Sequence, residues 1–269
     1  GGSLNGRGEW FHPSGEKYIG GFRSGWFDGQ GTYTYLDGGV YSGLWKKNVR
    51  NGWGTFNYPN DDTYVGEWQE GVRHGEGTLT YSDGGVYVGS WQDGFRHGEG
   101  SYSHPNGESY EGGWKKGIKH GYGVWIRPTG EKYAGGFKDG LYNDRGTLTY
   151  VDGGVYVGSW QDGFRHGEGS YTRSNGDTYV GSWKNDQKHG HGTLTYFDGE
   201  NYVGSWKRGV MHGHGTYRFA NGEVYIGEIN GGSLNGRGEW FHPSGEKYIG
   251  GFRSGWFDGQ GTYTYLDGG

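Results

Sequence analysis

The chain has 269 residues and a formal net charge of −5, and it contains 65 Gly but no Cys. The absence of Cys excludes a disulfide scaffold, a thiol nucleophile and a Cys-ligated zinc site. Aromatic residues make up 18% of the chain, whereas disordered chains are poor in them. We therefore expect a folded protein whose interior is built from aromatic rings rather than aliphatic side chains.

A Tyr recurs every 23 residues, from Tyr18 to Tyr248. In every repeat a Gly follows two residues later and another Gly follows thirteen residues later. Trp or Phe stands four residues after the Tyr, with Ile229 the one departure. A fixed period of this length is typical of repeat architectures. The sequence therefore predicts one continuous repeat array over residues 1–269.

The repeat that begins at Tyr64 contains two predicted strands. Residues 64–68 and residues 75–81 alternate between two unlike sets of side chains, which is the period-2 pattern of a strand. Residues 69–74 form a Gly-containing turn between them, which predicts an antiparallel hairpin. Residues 82–85 then turn the chain into the next hairpin. All five Pro fall in this connector, where they remove no donor from a strand: Pro13, Pro59, Pro105, Pro128 and Pro243.

Folding the hairpin about its turn predicts which residues face each other. The predicted pairs are Tyr64–Leu79, Gly66–Gly77, Trp68–Gly75 and, in the next repeat, Trp91–Gly98. A Gly in a strand leaves a gap into which an aromatic ring of the facing strand can lie. The predicted fold is all-β, a single-layer twisted antiparallel meander of stacked 23-residue hairpins without helix. One face carries the rings and glycines, and the other is polar to mixed.

The pattern Y-x-G-x-W-x-x-G-x-x-H-G-x-G, present from Tyr87 to Gly100, resembles the MORN repeat (membrane occupation and recognition nexus). The resemblance covers essentially the whole chain. The chain departs from the pattern at a few positions. Asn48 and Asp186 replace the Gly of the turn, at the position of Gly94, and Asp144 replaces the first Gly of the second strand, at the position of Gly98. The resemblance implies a single-layer sheet of β-hairpins, a MORN-repeat solenoid, that serves as a scaffold, a dimerisation module or a membrane-adjacent module.

Residues 1–39 are identical to residues 231–269, so the array contains a 230-residue super-repeat. This identity is typical of recent tandem duplication or of design, and it exceeds what a fold requires. We expect a structural protein that continues end to end, packs laterally against copies of itself and forms an elongated scaffold or fibre. One alternative is an engineered repeat protein without a natural function.

A weaker period of five repeats places apolar pairs at hairpin tips where other repeats have one apolar residue followed by a cation. Exposed aromatic residues with such regular spacing are typical of contact surfaces. Trp10, Trp125 and Trp240 share this spacing of 115 residues. The candidate self-association contacts are Trp10, Trp26, Phe27, Trp125, Leu141, Tyr142, Trp240, Trp256 and Phe257.

A second alternative is a peripheral module that binds anionic lipid through a basic edge. Lys and Arg near an anionic membrane surface contribute up to about 1 kcal/mol each, but Asp and Glu at the same tips reduce the field. We therefore regard a membrane surface as a possible partner that is not favoured. The candidate lipid-facing residues are Lys46, Lys47, Arg50, Arg73, Arg96, Lys115, Lys116, Lys119, Arg165, Lys184, Lys188, Lys207 and Arg208.

The sequence contains no motif of a nucleophilic serine, a zinc protease or a phosphate-binding loop. We therefore expect no enzymatic activity, no catalytic residues and no cofactor. One His recurs at the end of the predicted turn in six repeats, at His74, His97, His120, His166, His189 and His212. Neighbouring members lie about 10 Å apart, too far to share a metal. The negative net charge disfavours nucleic acid. The sequence leaves the compartment open, with an extracellular or cell-surface fibre slightly favoured over a cytoplasmic scaffold.

Overall fold

The computed structural model describes residues 3–266, which form 23 β-strands and no helix, and so include no helix that could cross a membrane. The strands are β1 (Gly6–Phe11), β2 (Lys17–Arg23), β3 (Trp26–Thr34), β4 (Val40–Lys46), β5 (Val49–Asn57), β6 (Thr63–Gln69), β7 (Val72–Thr80), β8 (Val86–Gln92), β9 (Phe95–Ser103), β10 (Ser109–Lys115), β11 (Ile118–Ile126), β12 (Lys132–Lys138), β13 (Leu141–Thr149), β14 (Val155–Gln161), β15 (Phe164–Thr172), β16 (Thr178–Lys184), β17 (Gln187–Thr195), β18 (Asn201–Lys207), β19 (Val210–Arg218), β20 (Val224–Asn230), β21 (Ser233–Phe241), β22 (Lys247–Arg253) and β23 (Trp256–Thr264).

The chain divides into two compact units, and the division falls within β12. The first unit takes in residues up to 130 together with 137–140, and the second takes in 131–136 and the residues from 141 on. In the first unit, β1 to β11 each pair antiparallel with their neighbours in the chain. In the second unit, β13 to β23 do the same. The predicted all-β antiparallel meander is confirmed in each unit.

Two-residue turns close the hairpins. Gln69 pairs with Val72, and the two residues between them, Glu70 and Gly71, have φ of 50° and 81°. Positive φ at both central residues defines a type I′ turn, whose twist matches that of the strands. Asn48 and Asp186, which replace the Gly, have φ of 66° and 64°. Asn and Asp tolerate this left-handed conformation better than other side chains, which explains these two departures from the repeat pattern.

The predicted register is correct in the middle of the hairpin and wrong near its tip. Tyr64 faces Leu79 and Gly66 faces Gly77 as predicted, but Trp68 faces Arg73 rather than Gly75. The next hairpin shows the same difference. Trp91 faces Arg96 rather than Gly98.

The physical reason for the difference is a β-bulge. The turn takes up two residues rather than six, so residues 74–76 lie opposite a single residue, Glu67. The extra residues form the bulge, and Gly75 adopts φ of 56° within it. Gly75 instead pairs with Trp91 on the far side, in the next hairpin.

The aromatic face buries itself without a second layer. The ring of Tyr64 is fully buried and lies over Gly66 and Gly77, so that a Cβ on Gly77 would overlap the ring and its hydroxyl. The hydroxyl donates a hydrogen bond of 3.0 Å to the carbonyl oxygen of Glu67. Trp68 and Trp91 stand edge-on to this ring, each with its centroid 5.2 Å away. The same pattern recurs along both units.

Candidate interaction surfaces

The buried rings of the aromatic face, such as Tyr64, Trp68 and Trp91, form a continuous series that we name the ring ladder. Cationic side chains cover it. The guanidinium of Arg73 lies 4.2 Å above the ring centroid of Trp91 and donates a hydrogen bond of 2.9 Å to the carbonyl oxygen of Gly94. Such cation–π contacts contribute about 0.5–2 kcal/mol. Arg73 therefore links its own hairpin to the next one. Equivalent stacking contacts to the next hairpin are made by Arg50, Arg96, Arg165 and Lys188. Lys119 occupies the same position but stacks on Trp125 of its own strand.

Two of these cations are lysines whose burial disfavours the charged form. The ammonium of Lys119 lies 3.4 Å from the ring centroid of Trp125 and 3.7 Å from a carboxylate oxygen of Glu108. Burial lowers its pKa to about 8, although the nearby Glu108 opposes the shift. Lys188, whose ammonium lies 4.6 Å from the ring centroid of Trp206, also has its pKa lowered to about 8 by burial.

The basic edge proposed from the sequence divides into two sets. The stacking cations Arg50, Arg73, Arg96, Lys119, Arg165 and Lys188 are partly buried on the aromatic face. The remaining seven residues are exposed at or beside the hairpin turns: Lys46, Lys47, Lys115, Lys116, Lys184, Lys207 and Arg208. Only this second set is free to meet a lipid surface.

The apolar pairs at the tips also divide. Their first members are exposed, with 51% of Trp26, 50% of Leu141 and 79% of Trp256 accessible to solvent. Their second members occupy the slot that Arg fills in other repeats. Phe27 stacks on Tyr18 with centroids 3.9 Å apart. The other two stacked pairs are Tyr142 on Tyr133 at 3.7 Å and Phe257 on Tyr248 at 4.0 Å. Phe27 and Tyr142 therefore hold the fold together and are not free tip residues, whereas Phe257 stacks in the same way but is 46% exposed.

The three spaced Trp residues also lie on the aromatic face. Trp10 pairs with Tyr18 across the sheet, and its ring centroid lies 5.6 Å from that of Phe27. The indole N–H of Trp125 donates to Glu108, and that of Trp240 donates to Glu223 at 3.1 Å. Their regular spacing therefore reflects packing within the ring ladder.

Apolar residues at the hairpin tips form a row along the sheet. The apolar pairs identified from the sequence are only part of this row. The first residue after each turn is apolar and half-exposed in most repeats. In the first unit the row is Trp26, Val49, Val72, Phe95 and Ile118, and in the second it includes Leu141, Phe164, Val210 and Trp256. Gln187 and Ser233 interrupt it. The 23-residue spacing of this row was the signal available in the sequence.

The face opposite the rings is more apolar than expected. Val65 and Val88 in the first unit are about half-exposed there, as are Val157, Val180, Val203, Ile226 and Ile249 in the second. In the second unit part of this face forms an open groove of about 900 Å³ lined by Val203, Ile226, Ile249 and paired glycines, with His191 and His214 beside them. Among residues 3–266, no three His, Asp or Glu side chains are placed to hold a metal ion.

Two exposed aromatic residues on the same face were missed in the sequence. Trp53 and Tyr122 are 55% and 69% exposed. Each stands between the two glycines of a G-x-G stretch, at a position where other repeats carry Glu, Arg, Gln or His. A departure from the repeat pattern at a solvent-facing position was the available signal.

Comparison with known proteins gives one strong match. The family model described as "MORN repeat" matches residues 18–40, 41–63, 64–86, 87–109, 110–132, 133–155, 156–178, 179–200, 202–224 and 248–269. No curated protein sequence matches the chain.

Similarity to solved structures is distant. The TCP10 domain of Danio rerio CPAP in complex with a peptide of Danio rerio STIL is 13% identical, with 96% of this chain and 97% of that chain covered and a TM-score of 0.35. The SAS-4 (dCPAP) TCP domain of Drosophila melanogaster, in complex with a proline-rich motif of Ana2 (dSTIL), is 11% identical over 72% of this chain and 86% of that chain, with a TM-score of 0.27. Virginiamycin B lyase from Staphylococcus aureus is 9% identical, with coverage of 93% and 85% and a TM-score of 0.15. At these TM-scores none of the three bears on function.

Proposed function

Because the chain belongs to the MORN repeat family, we propose that it is a non-enzymatic repeat scaffold that associates with copies of itself. The observation that supports this proposal is the row of half-exposed apolar side chains at the hairpin tips, from Trp26 to Ile118 in the first unit and from Leu141 to Trp256 in the second. We name this the tip row.

The tip row has two properties of an interface between copies. Its apolar side chains recur at successive hairpin tips about 10 Å apart, and an extended exposed apolar surface of this kind marks an interaction site. A row with a constant spacing also matches the spacing of the same row on another copy, and this self-complementarity is what an isologous contact needs. The tips carry both signs of charge, such as Asp93 and Lys116, so repulsion does not oppose their approach.

The test is sedimentation velocity over a concentration series. We expect the unaltered chain to associate reversibly. The triple variant Trp26→Ser, Phe95→Ser and Leu141→Ser should dissociate at about tenfold higher concentration, because three anchoring side chains lose the apolar area that they bury. The stacked residues Phe27 and Tyr142 stay unchanged, so the fold is preserved.

The matched control replaces exposed apolar residues outside the tip row. Val65→Ser with Val88→Ser removes a similar half-exposed surface and should leave association unchanged. A chain that stays monomeric at tens of micromolar would contradict the proposal. Binding of that monomer to anionic vesicles at physiological salt would favour the lipid-binding alternative, carried by the seven exposed Lys and Arg.

A further inference from the structure

We propose that the face of β5 to β11 opposite the aromatic rings docks a basic, amphipathic segment of a different protein. This inference goes beyond self-association, because it concerns the flat side of the sheet rather than the tip row. We name the surface the acidic face and define it by Trp53, Val65, Glu67, Glu76, Val88, Glu99, Glu111 and Tyr122.

Positive and negative side chains of these strands lie on opposite sides of the sheet. Arg50, Arg73, Arg96 and Lys119 all turn toward the aromatic side and lie over its rings. The strand residues of β5 to β11 that alternate onto the other side carry four carboxylates and one cation, Lys115, which lies beside a turn. The acidic face therefore has a negative field even though the strands contain similar numbers of both charges.

The carboxylates of the acidic face have no cationic partner among the described residues. Glu76 accepts a hydrogen bond of 2.6 Å from the hydroxyl of Ser90, and Glu67 accepts one of 3.3 Å from the backbone N–H of Glu76. These donors are neutral, so the two negative charges are not compensated. Glu99 and Glu111 are exposed strand residues and take part in no ion pair that the structure describes.

Apolar groups border these carboxylates. Val65 and Val88 are half-exposed beside Glu76, and the rings of Trp53 and Tyr122 are exposed on β5 and β11 at the two ends of the face. Exposed Trp and Tyr are the side chains most often found as anchors in protein interfaces. A lipid surface of anionic headgroups would be repelled here, whereas a segment with both cations and apolar side chains fits both features.

The spacing suits a helix that crosses the strands. Glu76 on β7 and Glu99 on β9 are separated by two strand spacings, about 10 Å. Residues i and i+7 of a helix are separated by about 10.5 Å along its axis. Lys or Arg at those positions would meet the two carboxylates, while an apolar residue at i+3, which lies above β8, would meet Val88.

The second unit provides a comparison surface with different charge. The residues equivalent to Glu76 and Glu99 along its strands are Arg145, Glu168, His191, His214, Arg237 and Gln260, and Glu168 accepts a hydrogen bond from Ser182. Residues 79–102 and 148–171 differ at one position only. Glu99 and Glu168 therefore share the same sequence context within different electrostatic surroundings, and this makes Glu168 a matched control.

The test is fluorescence anisotropy of the full chain with a fluorescein-labelled cationic model peptide, LKKLLKLLKKLLKL, and its acidic counterpart, LEELLELLEELLEL. We expect saturable binding of the cationic peptide, weakening as salt is added, and no binding of the acidic one. Glu76→Gln with Glu99→Gln should weaken binding by about tenfold. Glu168→Gln should change it by less than about twofold. Trp53→Ser should weaken binding without altering its dependence on salt.

Gln at position 76 keeps the shape of the Glu76 side chain and can still accept a hydrogen bond from the Ser90 hydroxyl. Near-ultraviolet circular dichroism verifies that the ring ladder of each variant is intact. Equal binding of the two peptides would overturn the proposal. So would equal losses from the single variants Glu99→Gln and Glu168→Gln, an absence of saturable binding, or displacement of the cationic peptide by vesicles of phosphatidylcholine and phosphatidylserine that bind the protein itself. A change of oligomeric state in the Glu76→Gln/Glu99→Gln variant would make this face a contact between copies and would overturn it as well.

Discussion

At the scale of single residues, the paired glycines hold the hairpin together because they leave room for one ring. The Tyr64 ring rests on Gly66 and Gly77 and is fully buried although the sheet has one layer. The sequence predicted that rings lie over glycines. It did not identify the correct partner near the tip, because the choice between Gly75 and Arg73 opposite Trp68 depends on the length of the turn.

Replacing Gly77 with Ala tests the fit of this ring. The new Cβ would overlap the ring of Tyr64, and overpacking of this type costs about 1–3 kcal/mol. Urea unfolding followed by Trp fluorescence should show the loss. Gly8→Ala serves as the control, because its Cβ would lie 3.4 Å from Phe22, in ordinary contact. An unchanged unfolding midpoint for Gly77→Ala would show that the ring has spare volume.

The titrating residues of the ring ladder predict how stability depends on pH. Burial lowers the pKa of Lys119 and Lys188 from 10.5 to about 8. Between those values the unfolded chain holds more protons than the folded one, so the free energy of unfolding rises with pH. Burial raises the pKa of Tyr18 and Tyr41 from 10.0 to about 12 and raises that of Tyr64 as well. Above about pH 10 the unfolded chain therefore holds fewer protons, and the free energy falls.

We expect the urea midpoint to increase from pH 8 to about pH 10 and to decrease at higher pH. Lys119→Arg with Lys188→Arg should remove the increase and keep the decrease. Arg occupies the same slot in neighbouring repeats and does not titrate in this range. A midpoint that rises equally in the double variant would show that other groups cause the increase.

At the scale of the hairpin, the alternation of residues predicted both strands and their antiparallel pairing. It did not predict the bulge at residues 74–76, because alternation describes a regular strand and the same residues could have extended the turn. The geometry is decided by Glu70 and Gly71, which form a type I′ turn. Glu70 has φ of 50°, a conformation that Glu rarely adopts. The residue type at this position therefore gave no sign of the turn type in the sequence.

Glu70→Asn should therefore stabilise the protein. Asn-Gly is the preferred pair for a type I′ turn, and the left-handed conformation is less costly for Asn than for Glu. We expect a gain of about 0.5–1 kcal/mol, measured by thermal unfolding. The reciprocal change, Asn185→Glu, should lower stability, because Asn185 has φ of 49° in the equivalent turn. A gain from both substitutions, or from neither, would contradict this account of the turn.

At the scale of the whole molecule, the 23-residue period and the alternation within it were enough to predict the meander, because each hairpin contacts only its neighbours. The family was predicted from the resemblance of the Y-x-G-x-W motif. The period did not distinguish rings that hold the array together from side chains that are free. Trp26 and Phe27 are adjacent and both aromatic, yet one is exposed and the other stacks on Tyr18. That distinction depends on which face each residue takes next to the turn.

The central claim is that the ring ladder holds each unit together while the tip row remains available to other copies. Hydroxyl-radical footprinting at low and high protein concentration tests it most directly. We predict that Trp26, Phe95 and Leu141 become protected at high concentration, while the buried tyrosines from Tyr18 to Tyr225 are unreactive throughout. Tip residues that react equally at both concentrations, or tyrosines that react at low concentration, would contradict the claim.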